Sequence, residues 1–213
     1  MSNAPDLHEA LKGKWTDGTR PKDLYSLYVS KNPQAYLETV INGLSSDTKR
    51  VQSGSAILAS MLAEEHPHLI YPYLDLFIRD LNSREPVLRW EAVCTLGNLA
   101  AADTEAVIPK HLGELTPLLR EKSIVLQGHT VRALSKIAEA NPAHADEILE
   151  ELTHVTEFFP GSTVGIIVES LERFHGYPHL REKVKRFTEP YLESEVKVVA
   201  RKARRVIKLM NKA

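Results

Sequence analysis

The histidines and the single cysteine are among the side chains of this 213-residue sequence that could hold a metal ion or act as a nucleophile. His66 and His68 flank a proline, but no third ligand follows at the spacing that a zinc site requires. Cys94 has no neighbour in the sequence that would activate its thiol. Neither a glycine loop for phosphate nor a Gly-x-Ser-x-Gly motif occurs. The sequence therefore predicts no catalytic residue, no metal site and no cofactor.

Cations near the C-terminus are a second group of functional candidates. Residues 181–213 hold 11 Lys/Arg and 4 Asp/Glu, whereas the whole chain has a formal net charge of -1. Such a cluster can bind phosphate or an acidic protein surface. It can equally be the solvated face of a terminal helix, and the sequence leaves both interpretations open. The candidates are Arg201, Arg204, Arg205 and Lys208.

Helices must position these residues, because apolar side chains recur at helical spacing along the chain. In PVLRWEAVCTLGNLA (86–100) the centre of the apolar stripe is Val93. The same pattern returns with its centre at Ala56, Val131, Val168 and Ala203. Each such helix follows another amphipathic segment, so the unit is a helix–turn–helix pair of about 37 residues. One pair cannot bury its apolar stripe alone, and neighbouring pairs must therefore stack.

Polar residues in the turns are predicted to cap the second helix of each pair, because their side-chain oxygens can accept its free amides. Prolines inside three of the first helices are predicted to kink them, since proline removes one backbone hydrogen bond. The capping residues are Asp47, Ser83, Ser123, Ser162 and Ser194, and the kinking residues are Pro72, Pro117 and Pro190.

The segment VLRWEAVCTLGNLA resembles the second helix of a HEAT repeat at Leu88-Arg89, Ala92 and Leu96-Gly97. This resemblance covers about residues 34 to 212 and implies a right-handed α-α superhelix whose second helices line the concave face. We therefore predict an all-α, armadillo-like solenoid of about five HEAT-like repeats behind an N-terminal helical cap. Residues 1–33 form this cap or an extra helix, and the array 34–213 divides into repeats 34–66, 67–103, 104–141, 142–176 and 177–213.

The concave face can be inferred from the second helices if they line it as the resemblance implies. Three outward positions are expected on each helix, equivalent to Glu91, Thr95 and Asn98. Trp90 is a large aromatic residue where the other repeats have Ser, Gly or Ala, so it is either an exposed anchor or a filler of space between repeats. The predicted binding residues are Trp90, Glu91, Asn98, His129, Arg201, Arg204, Arg205 and Lys208.

These features predict a non-enzymatic scaffold that binds a protein or peptide in the concave groove, with the basic end attracting an acidic partner. The alternative is a nucleic-acid-binding protein similar to the alkylation-repair DNA glycosylases of HEAT-like fold, using the basic C-terminal repeat. No catalytic residue of those enzymes can be assigned to a position in this chain. The start of the sequence lacks the apolar core of a secretory signal, and no segment approaches roughly 18 apolar residues. We therefore expect a cytoplasmic protein without membrane contact.

Overall fold

The computed structural model describes residues 6–16 and 18–212, which fall into two units, Met1–Ala102 and Asp103–Ala213. All regular structure in the described residues is helical, and no strand occurs among them, which confirms the predicted all-α class. The boundary between the units lies within one residue of the predicted boundary between the second and third repeats. Residues 1–5 and 17 of the predicted cap and the last residue of the predicted array lie outside the described residues.

The first unit consists of the N-terminal cap and two helix pairs. Its second helices, α4 and α7, pack against each other around side chains with no exposed surface, such as Leu62, Val93 and Leu96. A π-helical turn, Tyr25–Val29, follows α2, and a 3-10 turn, Tyr71–Tyr73, separates α5 from α6. The helices are α1 (Leu7–Lys12), α2 (Pro21–Leu24), α3 (Pro33–Gly43), α4 (Lys49–Glu65), α5 (Pro67–Ile70), α6 (Leu74–Asp80) and α7 (Pro86–Leu99).

Gly54 on α4 leaves space for the N-terminal cap. A Cβ atom at Gly54 would lie 2.5 Å from the Leu11 side chain and 3.2 Å from the Trp15 ring. The Trp15 indole donates to the carbonyl of Leu11 at 3.0 Å, which fixes the ring at the end of α1. The cap therefore packs closely on α4 because this position has no side chain.

The second unit contains three further pairs, whose second helices are α9, α11 and α13. The predicted centres of the three stripes, Val131, Val168 and Ala203, have no exposed surface. A 3-10 segment, Leu171–Gly176, continues α11. The helices are α8 (Leu112–Leu115), α9 (Ile124–Ala140), α10 (Ala145–His154), α11 (Val164–Ser170), α12 (Arg181–Thr188) and α13 (Lys197–Met210).

The three internal prolines interrupt the first helices as predicted. Each lies in a 3-10 segment: Pro72 in Tyr71–Tyr73, Pro117 in Thr116–Arg120 and Pro190 in Glu189–Glu193. A proline has no amide hydrogen for the α-helical bond, so the local backbone winds more tightly.

The capping prediction is confirmed at Ser123, whose hydroxyl accepts the amide of Leu126 at 3.3 Å. It is wrong at Ser83 and Ser194, which lie two residues before the actual N-caps, Glu85 and Val196. Both hydroxyls instead accept the amide of the N-cap residue, which forms a local serine turn. It is also wrong at Asp47 and Ser162, because the N-caps there are Thr48 and Thr163.

A recurring hydrogen bond ties the start of the second helix to the end of the first. A long polar side chain in the first turn of the second helix donates to a leucine carbonyl eight residues earlier. The arginine of the HEAT-like Leu-Arg pair has this internal role. The pairs are Gln52 with Leu44 at 3.1 Å, Arg89 with Leu81 at 2.9 Å and Gln127 with Leu119 at 3.1 Å.

No helix in the described residues is both long enough and apolar enough to cross a membrane.

The contact between α3 and α4 should be sensitive to one methyl group. An alanine at position 43 would bring its Cβ within 2.9 Å of the Ser55 Cβ, and closer still to the Ser55 hydroxyl. We predict that Gly43→Ala lowers the free energy of unfolding by about 1–3 kcal/mol, the usual cost of overpacking. Urea denaturation followed by circular dichroism measures this difference.

The control is Gly113→Ala in α8, where nothing lies within 4 Å of the new Cβ. That variant should gain about 0.5–1 kcal/mol from helix propensity. Unchanged stability of Gly43→Ala would contradict the close approach of α3 to α4.

Candidate functional site

The predicted site residues of the first unit lie at the contact between α4 and α7. The Asn98 amide donates to the carbonyl of Ser60 at 2.9 Å. The Glu91 carboxylate accepts hydrogen bonds from the side chains of Ser60 and Trp90. Trp90, Glu91 and Asn98 are all half-buried. The polar groups of Glu91 and Asn98 therefore bond to groups of the protein itself, and Trp90 keeps part of its surface accessible.

Burial dominates the electrostatics of Glu91. It raises the pKa of the Glu91 carboxyl above its ordinary value, because the charged form loses solvation. The hydrogen bonds from Ser60 and Trp90, and the charge of Lys22, act in the opposite direction. A carboxylate in these surroundings is a cost to the folded state at neutral pH.

The expectation that the Thr95 position points outwards is wrong for the first three repeats. Thr95 has no exposed surface, and its equivalents Leu58 and Ala133 are 0% and 2% exposed. The Thr95 hydroxyl donates to the Glu91 carbonyl at 2.8 Å, within its own helix. Neighbouring elements bury this position in the first three repeats, so there it belongs to the core, whereas the last repeat has the exposed Arg205 at this position.

His129, on α9 of the second unit, is half-buried. Burial lowers the pKa of its imidazole, and the charge of Arg132 lowers it further. At neutral pH the ring is therefore uncharged and can both donate and accept a hydrogen bond. The adjacent Gly128 lets α11 approach closely, because a Cβ there would lie 3.3 Å from Ile166.

Side chains of the second unit are connected by polar pairs between successive repeats. In each, a cation or histidine interacts with a carboxylate 33 or 34 residues earlier. Most of these groups are at least one-third exposed, so water screens the charges and each pair adds little to stability. These pairs were not predicted from the sequence. The sequence does contain a signal for them, because oppositely charged residues recur at a spacing close to the length of one repeat. The pairs are Glu139–Arg173, Asp146–His179, Glu150–Lys183, Glu169–Lys202 and Glu172–Arg205.

A cleft of ≈ 440 Å³ lies along the second helices of the second unit, and we call it the charged cleft. Its walls come from α9, from α11 with its 3-10 extension, and from α13. Four lining residues occupy positions predicted to face outwards: Lys136, Ser170, Arg173 and Arg205. The charged cleft is lined by Arg132, Ser135, Lys136, Glu139, Glu169, Ser170, Glu172, Arg173, His175, Arg205 and Leu209.

The structure divides the predicted basic site into two parts. Arg205 lines the charged cleft and is bound to Glu172 and Glu169. Arg201 and Arg204 line a separate depression of ≈ 660 Å³. Lys208 is exposed, and lines neither the charged cleft nor this depression. The four cations therefore do not form one site.

In the part of the chain that the structure describes, no group of three His, Cys, Asp or Glu side chains is placed to hold a metal ion. His66 and His68 contact each other edge to face, with ring centroids 6.3 Å apart. This contact accounts for the HPH pair as a packing feature.

The charge of Glu91 should make the stability of the first unit depend on pH. Because the folded-state pKa is raised, the native state holds the proton more tightly than the unfolded chain, and stability falls as pH rises through that range. We predict that Glu91→Gln raises the urea midpoint at about pH 7, and that the gain shrinks at about pH 4, where the carboxyl is protonated. Glu38→Gln, at an exposed position of α3, is the control and should show no such gain. A lower midpoint for Glu91→Gln at neutral pH would mean that the bonds to the ionised form outweigh its burial.

Comparisons with known proteins identify the fold. No protein-family model matches the sequence, and no curated protein matches it. Among solved structures, a designed armadillo repeat protein in complex with the peptide (KR)4 has a TM-score of 0.71 at 16% identity, over 99% of this chain and 100% of that chain. Another designed armadillo repeat protein has a TM-score of 0.69 at 15% identity, over 98% and 100%. An engineered protein has a TM-score of 0.67 at 19% identity, over 99% and 91%. The chain is therefore similar to armadillo repeat proteins in fold, and the predicted armadillo/HEAT-like α-solenoid is confirmed.

Proposed function

We propose that this chain is a non-enzymatic repeat scaffold that binds an extended peptide segment of a partner protein in the charged cleft. The cleft itself carries the proposal, because side chains from three successive second helices line it. A surface that is repeated from helix to helix suits an extended ligand, which can contact each repeat in turn. The fold supports this proposal, since one structurally similar designed protein is in complex with a peptide.

The charges of the cleft favour an acidic peptide over a basic one. The lining contains four Arg or Lys residues against three glutamates. Each of the three glutamates is already ion-paired with Arg173, Lys202 or Arg205, so these carboxylates attract a basic ligand weakly. Arg132 and Lys136, on α9, would add attraction for carboxylates of the ligand.

In the first unit, Trp90 would contact the partner, because this residue is only half-buried. Glu91 and Asn98 would act by holding the α4–α7 contact beneath it, through their bonds to Ser60. His129 would support the wall of α9 without lining the cleft. A cytoplasmic location is also proposed, based on the single cysteine, Cys94.

A DNA glycosylase activity, the alternative from the sequence, is not part of this proposal. In those enzymes the basic surface accompanies a carboxylate at the reacting base. No acidic residue is among the described residues that line the depression beside Arg201 and Arg204.

Fluorescence anisotropy with two labelled octapeptides tests the cleft. One alternates Asp and Glu, and the other is the basic peptide (KR)4. We predict that the acidic peptide binds more tightly, and that Arg132→Glu with Lys136→Glu weakens it by about tenfold or more, as expected for the loss of two charge contacts. The control is Arg201→Glu with Arg204→Glu, which changes the net charge equally but lies outside the cleft. Equal loss in the two double variants, or tighter binding of the basic peptide, would contradict the proposed site.

A further inference from the structure

We propose that the outer face of α13 binds the phosphate backbone of a double-stranded nucleic acid, at a site separate from the charged cleft. The site is a basic row of four exposed cations, Lys197, Arg201, Arg204 and Lys208. Their spacings of four, three and four residues place them on one side of a helix, over about 16 Å at 1.5 Å per residue. The whole of α13 contains no Asp or Glu.

The basic row differs from the other cations of the same helix. Lys202 is 2.9 Å from a carboxylate oxygen of Glu169, and Arg205 holds Glu172 with two nitrogens. Among the described residues, no side chain of the basic row forms an ion pair or a hydrogen bond. One side of α13 therefore uses its cations to bind the preceding repeat, and the other side presents four cations to solvent.

A further repeat of the same kind would not fit this face. Counted from the buried centres Val168 and Ala203, Arg204 holds in α13 the position that Glu169 holds in α11. Glu169 receives a cation from the next helix, Lys202. A helix that offered a cation in the same way to α13 would meet the charge of Arg204. The charge of this face therefore suits an anionic occupant.

Phosphate suits the basic row better than an acidic protein surface does. Stable protein interfaces usually have a buried apolar or aromatic centre. In the described residues that line the adjacent depression, Val198 is the only large apolar side chain, and it is 37% exposed. Binding to a nucleic-acid backbone needs no such centre, because the release of counterions from the phosphates supplies the free energy. Arginine also binds phosphate in a bidentate manner, and two arginines are at the middle of the row.

An anionic membrane is a weaker match for the same charges. An amphipathic helix binds a bilayer by inserting its apolar side chains. The apolar side of α13 is already buried in the protein, with Val199 and Val206 at 0% exposure and Met210 at 2%. Among the described residues of α13, Val198 is the one large apolar side chain that is exposed, so the helix would touch a membrane mainly through its charges.

Binding of a fluorescein-labelled DNA duplex of arbitrary sequence, about 20 base pairs long, tests the proposal through its salt dependence. With four phosphate contacts, the logarithm of the association constant should fall with the logarithm of salt concentration with a slope of about -3.6. Arg201→Glu with Arg204→Glu should weaken binding by about tenfold or more and make the slope shallower by about two. The full chain is used, and circular dichroism confirms that each variant is folded.

Two control variants separate this site from general charge and from the cleft. Arg84→Glu with Lys122→Glu removes exposed cations elsewhere for the same change in net charge, and should leave binding of the duplex within about twofold. Arg132→Glu with Lys136→Glu, in the charged cleft, should also retain duplex binding. Failure of this site and failure of the proposed peptide cleft are thus distinguishable.

Four outcomes would overturn the proposal. The first is no detectable binding of the duplex at about 50 mM salt, where phosphate contacts are strong. The Arg84/Lys122 variant could lose as much affinity as the α13 variant, which would indicate general charge. Phosphatidylserine vesicles could bind the wild type in sedimentation while the duplex does not, which would indicate a membrane. Finally, the α13 variant could lose the acidic octapeptide and not the duplex, which would make the basic row a peptide surface.

Discussion

The packing of one second helix against the next is the contact on which the rest of this structure depends. A helix pair alone would leave its apolar stripe in water, so each pair needs a neighbour. In the first unit this contact joins α4 and α7, and in the second it joins α9 to α11 and α11 to α13. Small residues permit the close approach: Cβ atoms at Gly128 and Gly165 would lie 3.3 Å from Ile166 and Val199. Glycine inside a helix costs about 1 kcal/mol relative to alanine, and the closer packing offsets that cost here.

This packing determines what the polar residues beside the stripe can do. Asn98 and Glu91 lie where two helices meet, and their polar groups bind Ser60 because a buried donor or acceptor without a partner is costly. Farther from the stripe, the side chains stay in solvent but still reach the neighbouring repeat, as Lys202 and Arg205 do. A side chain is available for a partner only where the distance to the next repeat is too great or where no neighbouring helix covers it.

The sequence was sufficient to predict the helix pairs, the buried centres of their stripes and the interruptions at Pro72, Pro117 and Pro190. These features depend on local spacing and on backbone chemistry, which a single sequence records. The direction of Thr95 could not be predicted in the same way. It lies two residues, or about 200° of helical rotation, from Val93, which places it opposite the centre of the stripe. It is nevertheless fully buried, because a second helix is covered on more than one side. Likewise, the sequence predicted that Arg205 belongs to one basic site with Arg201 and Arg204. The ion pair between Arg205 and Glu172 could not be foreseen, because only the fold brings these two side chains together.

The basic row on α13 carries four positive charges on one side of the helix. Solvation of that side would not require all four charges to be positive. A helix face in water needs polar side chains, and alternating Glu and Lys would provide them with favourable pairs. Here neighbouring positions along the row carry like charges, and each such pair costs a few tenths of a kcal/mol. The helix dipole favours a cation at Lys208, in the last turn, but opposes the one at Lys197, in the first turn. A face that was only a solvated cap would gain stability by replacing Lys197 with Glu, because both the dipole and the charge of Arg201 would then be favourable. The retention of four cations despite these costs is explained if the row has an anionic ligand.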